Sequence, residues 1–437
     1  MASPFRRTEL GLLSMVAIVV GAAYTLASLG RTATIPANIG PFLGVVFALF
    51  LAAHLALRKF APEADPLLVP LAAMLNGLGY VMIARLDAKL AAQQAAWTAV
   101  GVLGFIITLA VVKRARSLEH LRYTAALIGV VLVVLPLVPV IGRGRLGSLI
   151  WVKIGPINFQ PGEFAKIALA VAFASYLFES REMIRSGTYR VGRFFAPDPR
   201  YALPLLAVWG VAVVVMVAEK DLGSALLFFV LFLTVLYVAT SRASYVVAGL
   251  SLFAAAAFVA HQKFSHVQVR VATWLNPWPE RFGKGIQVSE AAYALAWGGI
   301  SGTGLGRGTS TKIPEVESDF IFAAIGEELG LIGVAAILAM YMLLCGAGFR
   351  AASMANDAFS KLLAVGLTSL LGFQTFIIIA GITRVLPLTG VTLPFVSYGG
   401  SSLVANWIII ALLARISNDT RSIRRQRHQR IAHRVAA

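Results

Sequence analysis

Residues 274–330 read WLNPWPERFGKGIQVSEAAYALAWGGISGTGLGRGTSTKIPEVESDFIFAAIGEELG. The stretch is dense in Gly, Pro and charge, and it lies between two long apolar segments. Two carboxylates, Glu317 and Asp319, stand where it turns back into apolar sequence. Working outward, the rest of the chain reads as a membrane scaffold that holds this loop at the bilayer surface.

The composition supports that reading. Of 437 residues, 58% are apolar and only 13% charged, against roughly a quarter charged in a soluble domain. Apolar runs of about 18 or more residues recur, as membrane-spanning helices require. Alternating segments of about ten residues, the mark of a transmembrane barrel, do not occur. The expected fold is an all-α polytopic membrane protein. Twelve spans are expected near residues 10–27, 41–57, 67–84, 95–112, 123–141, 164–177, 202–217, 224–240, 243–260, 320–345, 362–382 and 402–413. The first is long and lacks a small-residue cleavage site, so it reads as retained.

Basic residues orient the chain. With a cytoplasmic N-terminus, the inner segments carry 23 Lys and Arg and the outer loops 14, so both termini are expected inside. The loop after residue 260 departs from the bias with six cations. Cations kept outside suit an anionic ligand. The net charge of +18 is then a topology signal plus attraction to anionic lipid, and nucleic acid is not expected as a partner. The single Cys345 excludes an intrachain disulfide and a thiolate metal cluster.

Several short stretches promise chemistry. Glu163 and Lys166 open the sixth span at i,i+3 spacing, which lets them face one another or line a substrate cavity. Asp221 follows Glu219 and Lys220 in a tight outer turn and suits an N-cap. Residues 382–402 read ITRVLPLTGVTLPFVSYGGSS, an irregular backbone that survives at membrane depth only inside protein or against a polar cavity. Glu327 and Glu328 lie two turns into the tenth span and need a basic or hydroxyl partner. Trp274 and Trp278 suit the headgroup interface. GGISGTGLGRG follows no strand, so it is not read as a nucleotide loop.

Asp319 precedes the tenth span directly. It suits an N-cap, although Ser318 offers the same service. Glu315 and Glu317 crowd it, which raises carboxylate pKa values. Arg270, Arg281, Lys284, Arg307 and Lys312 share its loop. A carboxylate among cations suits general-base chemistry on a phosphate-bearing substrate. These residues alone leave an enzyme and a transporter both open.

At these residues the chain resembles the SEDS family (shape, elongation, division and sporulation), the group of RodA, FtsW and SpoVE. The resemblance rests on QPGEFAK (160–166), DLGSA (221–225), WLNPW (274–278), GGISGTGLGRG (298–308), PEVESDFIFAAIGEELGLIG (314–333) and PLTGVTLPFVSYGGSS (387–402). ITRVLPLTGVTLPF and the two additional N-terminal spans resemble the actinobacterial RodA-like branch. The resemblance implies a two-helix segment at 1–65, a transmembrane core at 66–415 with its extracytoplasmic catalytic loop at 261–319, and a basic cytoplasmic tail at 416–437.

The resemblance further implies a peptidoglycan glycosyltransferase that polymerises lipid II with a class B penicillin-binding protein. Asp319 maps onto the family's essential acid. It would deprotonate the acceptor 4-hydroxyl, and undecaprenyl pyrophosphate would leave with inversion. Arg270 and Lys312 are expected at the pyrophosphate. Glu163, Lys166, Gln287, Glu315 and Ser397 complete the expected substrate-binding residues. A divalent cation, magnesium or manganese, is the one cofactor the resemblance admits, though no metal ligand cluster announces it. The readings that compete with the polymerase are a lipid II transporter and a non-catalytic scaffold for partner synthases. The short tail leans the expected role towards elongation over division. Gly162, Lys220 and Glu290 depart from the family pattern, which usually has Ser, Pro and Gln there.

Overall fold

The computed structural model describes residues 4–36, 39–138, 142–145, 148–155, 157–186, 189–191, 194–196 and 199–436. Helices α1 (Pro4–Thr32), α2 (Ile39–Phe60), α3 (Leu68–Leu86), α4 (Ala88–Val111) and α5 (Arg122–Val134) come first. Strands β1 (Gly142–Arg145), β2 (Ser148–Ile154) and β3 (Ile157–Phe159) follow, then α6 (Gly162–Ser186). Next are β4 (Tyr189–Val191), β5 (Phe194–Ala196), α7 (Pro199–Ala218), α8 (Leu222–Thr240) and α9 (Ala243–Lys263). The chain ends with α10 (Ser265–Leu275), α11 (Ile286–Gly298), α12 (Ile321–Met354), α13 (Ala358–Ile382) and α14 (Gly400–Ala436).

Among the described residues, ten helices are long and apolar enough to cross a membrane. The chain is a multi-pass membrane protein. The two other expected spans, 164–177 and 202–217, fall within α6 and α7, which are helical but are not among the ten. Short polar residues set the helix starts. Asp87, Asp221 and Asp357 accept from the backbone N–H groups of Lys89 (2.7 Å), Ser224 (3.0 Å) and Ser360 (2.8 Å), the N-cap geometry that satisfies orphan donors.

The core is sealed around α14, which packs along α4. Trp407 is fully buried and meets Phe105 and Phe395 edge-on, with ring centroids 5.8 Å away in each case. Its indole N–H donates to Asn76 Oδ1 (3.1 Å), as a buried indole must. A Cβ at Gly101 would stand 2.6 Å from the Trp407 ring, so only glycine lets α4 approach this closely.

Two short sheets lie in the connections of this helical fold. β1, β2 and β3 form an antiparallel three-stranded sheet, and β4 pairs with β5. Gly142 and Gly144 precede Trp151 and disfavour a continued helix. The segment that follows them leaves Leu149 and Lys153 exposed and buries Val152, a short strand pattern that seven residues make hard to see. The 261–319 loop is also more ordered than its Gly and Pro content suggests, since it holds α10 and α11.

Candidate active site around Asp319

The turn that carries Asp319 is built by hydrogen bonds from both directions. Glu315 adopts a left-handed backbone (φ 56°), and its carbonyl accepts from the N–H groups of Ser318 (3.2 Å) and Asp319 (3.1 Å). From across the bundle, the Ser397 hydroxyl donates to the Ser318 carbonyl and accepts from Leu393 N–H (2.9 Å). Tyr398 N–H donates to Glu317 O (2.8 Å). The irregular backbone after α13 thus grips the two residues that precede Asp319. Neither Ser318 nor Asp319 caps α12: its N-cap is Phe320, with no side-chain hydrogen bond. The capping reading of Asp319 therefore fails, and its carboxylate is left for other work.

Arg270, from α10, enters the same place. Its Nη1 donates to the carbonyls of Thr389 (3.1 Å) and Leu388 (3.4 Å). A Cβ at Gly390 would lie 3.7 Å from Asp319 Oδ2 and 4.0 Å from Arg270 Nη2, so both groups flank that glycine. Gly390 itself has φ 75°, a conformation that suits glycine. Asp221 closes the cluster. It caps α8 as expected, and it also acts electrostatically on both Arg270 and Asp319. Gly223 of the same turn lies against the Thr389 carbonyl.

Burial, and then the nearby Glu315, push the Asp319 carboxyl up to about 6, while Arg270 and the Ser318 hydroxyl pull it down. Burial likewise raises Asp221. Glu219, two residues earlier, is pushed up to about 8 by burial and by Asp221, and its Oε1 has no hydrogen-bond partner among the described residues. Desolvation disfavours the charged carboxylate in each case.

Glu163 and Lys166 are buried and pair at 2.5 Å. Lys166 Nζ also donates to Gln374 Oε1 (2.8 Å), and Gln374 Nε2 donates to the Thr392 carbonyl (2.8 Å). The pair therefore braces the residue two beyond Gly390. Lys312 lies elsewhere, on a groove with Glu290 and Glu327. Gln287 donates to the Pro314 carbonyl (3.0 Å) and so fixes the start of the Asp319 turn. The structure gathers Asp319, Arg270, Glu315 and Ser397, connects Glu163 and Lys166 to them through Gln374, and leaves Lys312 apart.

Glu327 and Glu328 find the kinds of partner expected, in a different setting. Gly330 breaks the helix (φ 64°, ψ −165°), so both acids end a short first segment of α12 and do not lie deep in a continuous span. Glu328 pairs with Arg85 (2.5 Å) and accepts from Gly306 N–H (2.8 Å). Glu327 accepts from the N–H (2.7 Å) and hydroxyl (3.0 Å) of Thr309. Together they fold the glycine-rich loop onto α12. Among the described residues, no three His, Cys, Asp or Glu side chains converge as a metal site.

The model for the cell-cycle protein family FtsW/RodA/SpoVE matches residues 66–422. The chain is 44% identical over 427 residues to the peptidoglycan glycosyltransferase RodA of Mycobacterium tuberculosis, covering 95% of this chain and 91% of that one. It is 34% identical over 288 residues to a probable peptidoglycan glycosyltransferase FtsW of Geobacter sulfurreducens, covering 65% and 74%. Among solved structures, it resembles a chain of a peptidoglycan synthase complex studied for polymerization and crosslinking, with TM-score 0.66 and 28% identity over 82% of this chain and 98% of that one. The rod-shape-determining protein RodA of Thermus thermophilus matches with TM-score 0.58 and 27% identity, covering 82% and 97%.

Proposed function

The chain belongs to the FtsW/RodA/SpoVE family, and from that premise we propose that it is a peptidoglycan glycosyltransferase that polymerises lipid II. One observation carries the mechanistic part: a carboxylate that caps nothing, raised to about 6, set beside one arginine. A base with a pKa just below working pH is mostly ionised and still binds a proton well.

In this reading Asp319 takes the proton of the acceptor sugar's 4-hydroxyl as that oxygen attacks the donor's anomeric carbon. The bond from that carbon to the pyrophosphate oxygen breaks, and the electron pair leaves with undecaprenyl pyrophosphate. Attack opposite the leaving group inverts the carbon. Arg270 meets the growing negative charge of the departing pyrophosphate. Glu315 and Ser397 position Asp319, and Glu163 with Lys166 holds the 388–402 segment. Among the described residues no three His, Cys, Asp or Glu side chains converge to hold a divalent cation, and the steps above use only the protein's own groups.

The positive-inside bias supports cytoplasmic termini and an external 261–319 loop. The likeness to a chain of a peptidoglycan synthase complex supports a cross-linking partner, here proposed to be a class B penicillin-binding protein. The test is glycan polymerisation from fluorescent lipid II by the purified protein, with and without that partner. Polymer is the expected result. Transbilayer movement of lipid II without polymer would replace this reading with transport. No product and no movement, even with the partner, would leave a scaffold.

A further inference from the structure

Apart from the Asp319 cluster, α11 and the 309–313 turn line a groove of about 340 Å³. Tyr293 and Trp297 line it, four residues apart on α11 and so on one helix face. Trp297 is 74% exposed, and Tyr293 is held against the Trp278 ring at a centroid distance of 5.6 Å. Two of the other lining residues, Ser310 and Glu327, are each only 2% exposed. Among the described residues the Ser310 hydroxyl and Glu327 Oε2 have no hydrogen-bond partner, although Glu327 Oε1 accepts twice from Thr309. A buried polar atom is disfavoured while it stays unmet, so the groove holds donor and acceptor capacity that a ligand would satisfy.

The charge of the groove selects the ligand. Glu290 and Glu327 oppose the single Lys312, which disfavours a diphosphate and suits neutral hydroxyl and amide groups. Exposed aromatic faces beside such polar atoms match the apolar C–H faces and hydroxyl rims of a pyranose ring. The groove is also tied to the reaction centre. Its 309–313 wall continues directly into the Asp319 turn, and Gln287 of α11 is bonded to Pro314 between them.

We propose that this groove is a saccharide subsite that holds the β-1,4-linked glycan backbone away from the reacting carbon. The inference rests on the glycosyltransferase reading above.

The probe is the β-1,4-linked tetramer of N-acetylglucosamine, titrated calorimetrically into the full chain in lipid nanodiscs. Wild type is expected to bind it, Trp297→Ala about tenfold more weakly, and Trp297→Phe close to wild type. Asp319→Asn is expected to bind as wild type does, because the groove is separate from the carboxylate. In the polymerisation assay Trp297→Ala should give shorter strands. No binding by wild type, or equal affinity for Trp297→Ala, overturns the subsite. Polymer without Trp297-dependent binding sinks the groove alone. Trp297-dependent binding without any polymer sinks the glycosyltransferase reading and leaves the saccharide groove standing.

Discussion

Asp65 and Asp319 are acids at opposite ends of one bundle, and the fold surrounds them differently. Asp65 is 1% exposed. It accepts from Arg350 Nε (3.0 Å) and Nη2 (2.6 Å), Arg421 Nη2 (2.8 Å) and Leu67 N–H (3.1 Å). Its own N–H donates to Ser417 Oγ (3.1 Å). Those bonds tie the loop after α2 to α12 and α14. Asp319 faces one arginine, shared with Asp221 and two backbone carbonyls, and it is crowded by Glu315. A carboxylate surrounded by cations clamps helices. A buried carboxylate with too little compensation, as at Asp319, is ready to take a proton.

Substitutions at the two acids should therefore fail in different ways. Asp319→Asn should lower lipid II polymerisation by about 10²–10⁴-fold, the span of a lost general base. Polymer from the variant at the wild-type rate would erase the contrast. Arg270→Ala should cost about 10²-fold through lost charge stabilisation. It should also move the pH midpoint of activity upward, since Arg270 holds Asp319 down. A rate profile with its midpoint unmoved would detach Arg270 from Asp319.

Asp65→Ala should leave the chemistry of the folded fraction alone and destabilise the bundle. The expected cost is roughly 3 kcal/mol, the low end for a broken buried pair because Arg350 is exposed, read as a lower melting temperature in nanodiscs. An unchanged melt would show that the clamp is ornamental. The smallest effect is on stability at Asp319. Its folded pKa is raised from 3.8 to about 6, so its favourable contribution is complete below about 4 and is lost as pH rises through about 6. At pH 7 Asp319→Asn should then melt at or slightly above the wild-type temperature, and a clear drop would make Asp319 structural.

The two ends were not equally legible in the sequence. Long apolar runs announce helices, and Asp319 is visible because it abuts one inside a distinctive motif. Asp221 reads locally as a cap, and it is one, but its approach to Arg270 depends on where the 388–390 backbone falls. Gly330 sits in an apolar run where nothing local marks a positive φ, so the break that re-aims Glu327 and Glu328 is hidden. Lys312 reads as a second pyrophosphate contact beside Arg270, and only the fold sets it on a groove that it shares with Glu290 and Glu327. Asp65 gave no signal, because both its arginines arrive from distant helices.

The most direct test of Asp319 as the base is the pH dependence of lipid II polymerisation by wild type. The base must be ionised to accept the proton, so the rate should fall on acidification with a midpoint near the raised value of about 6 and level off above it. A rate that stays flat through that region and falls only near the ordinary carboxylate value of about 4 would contradict a buried, under-compensated base at Asp319.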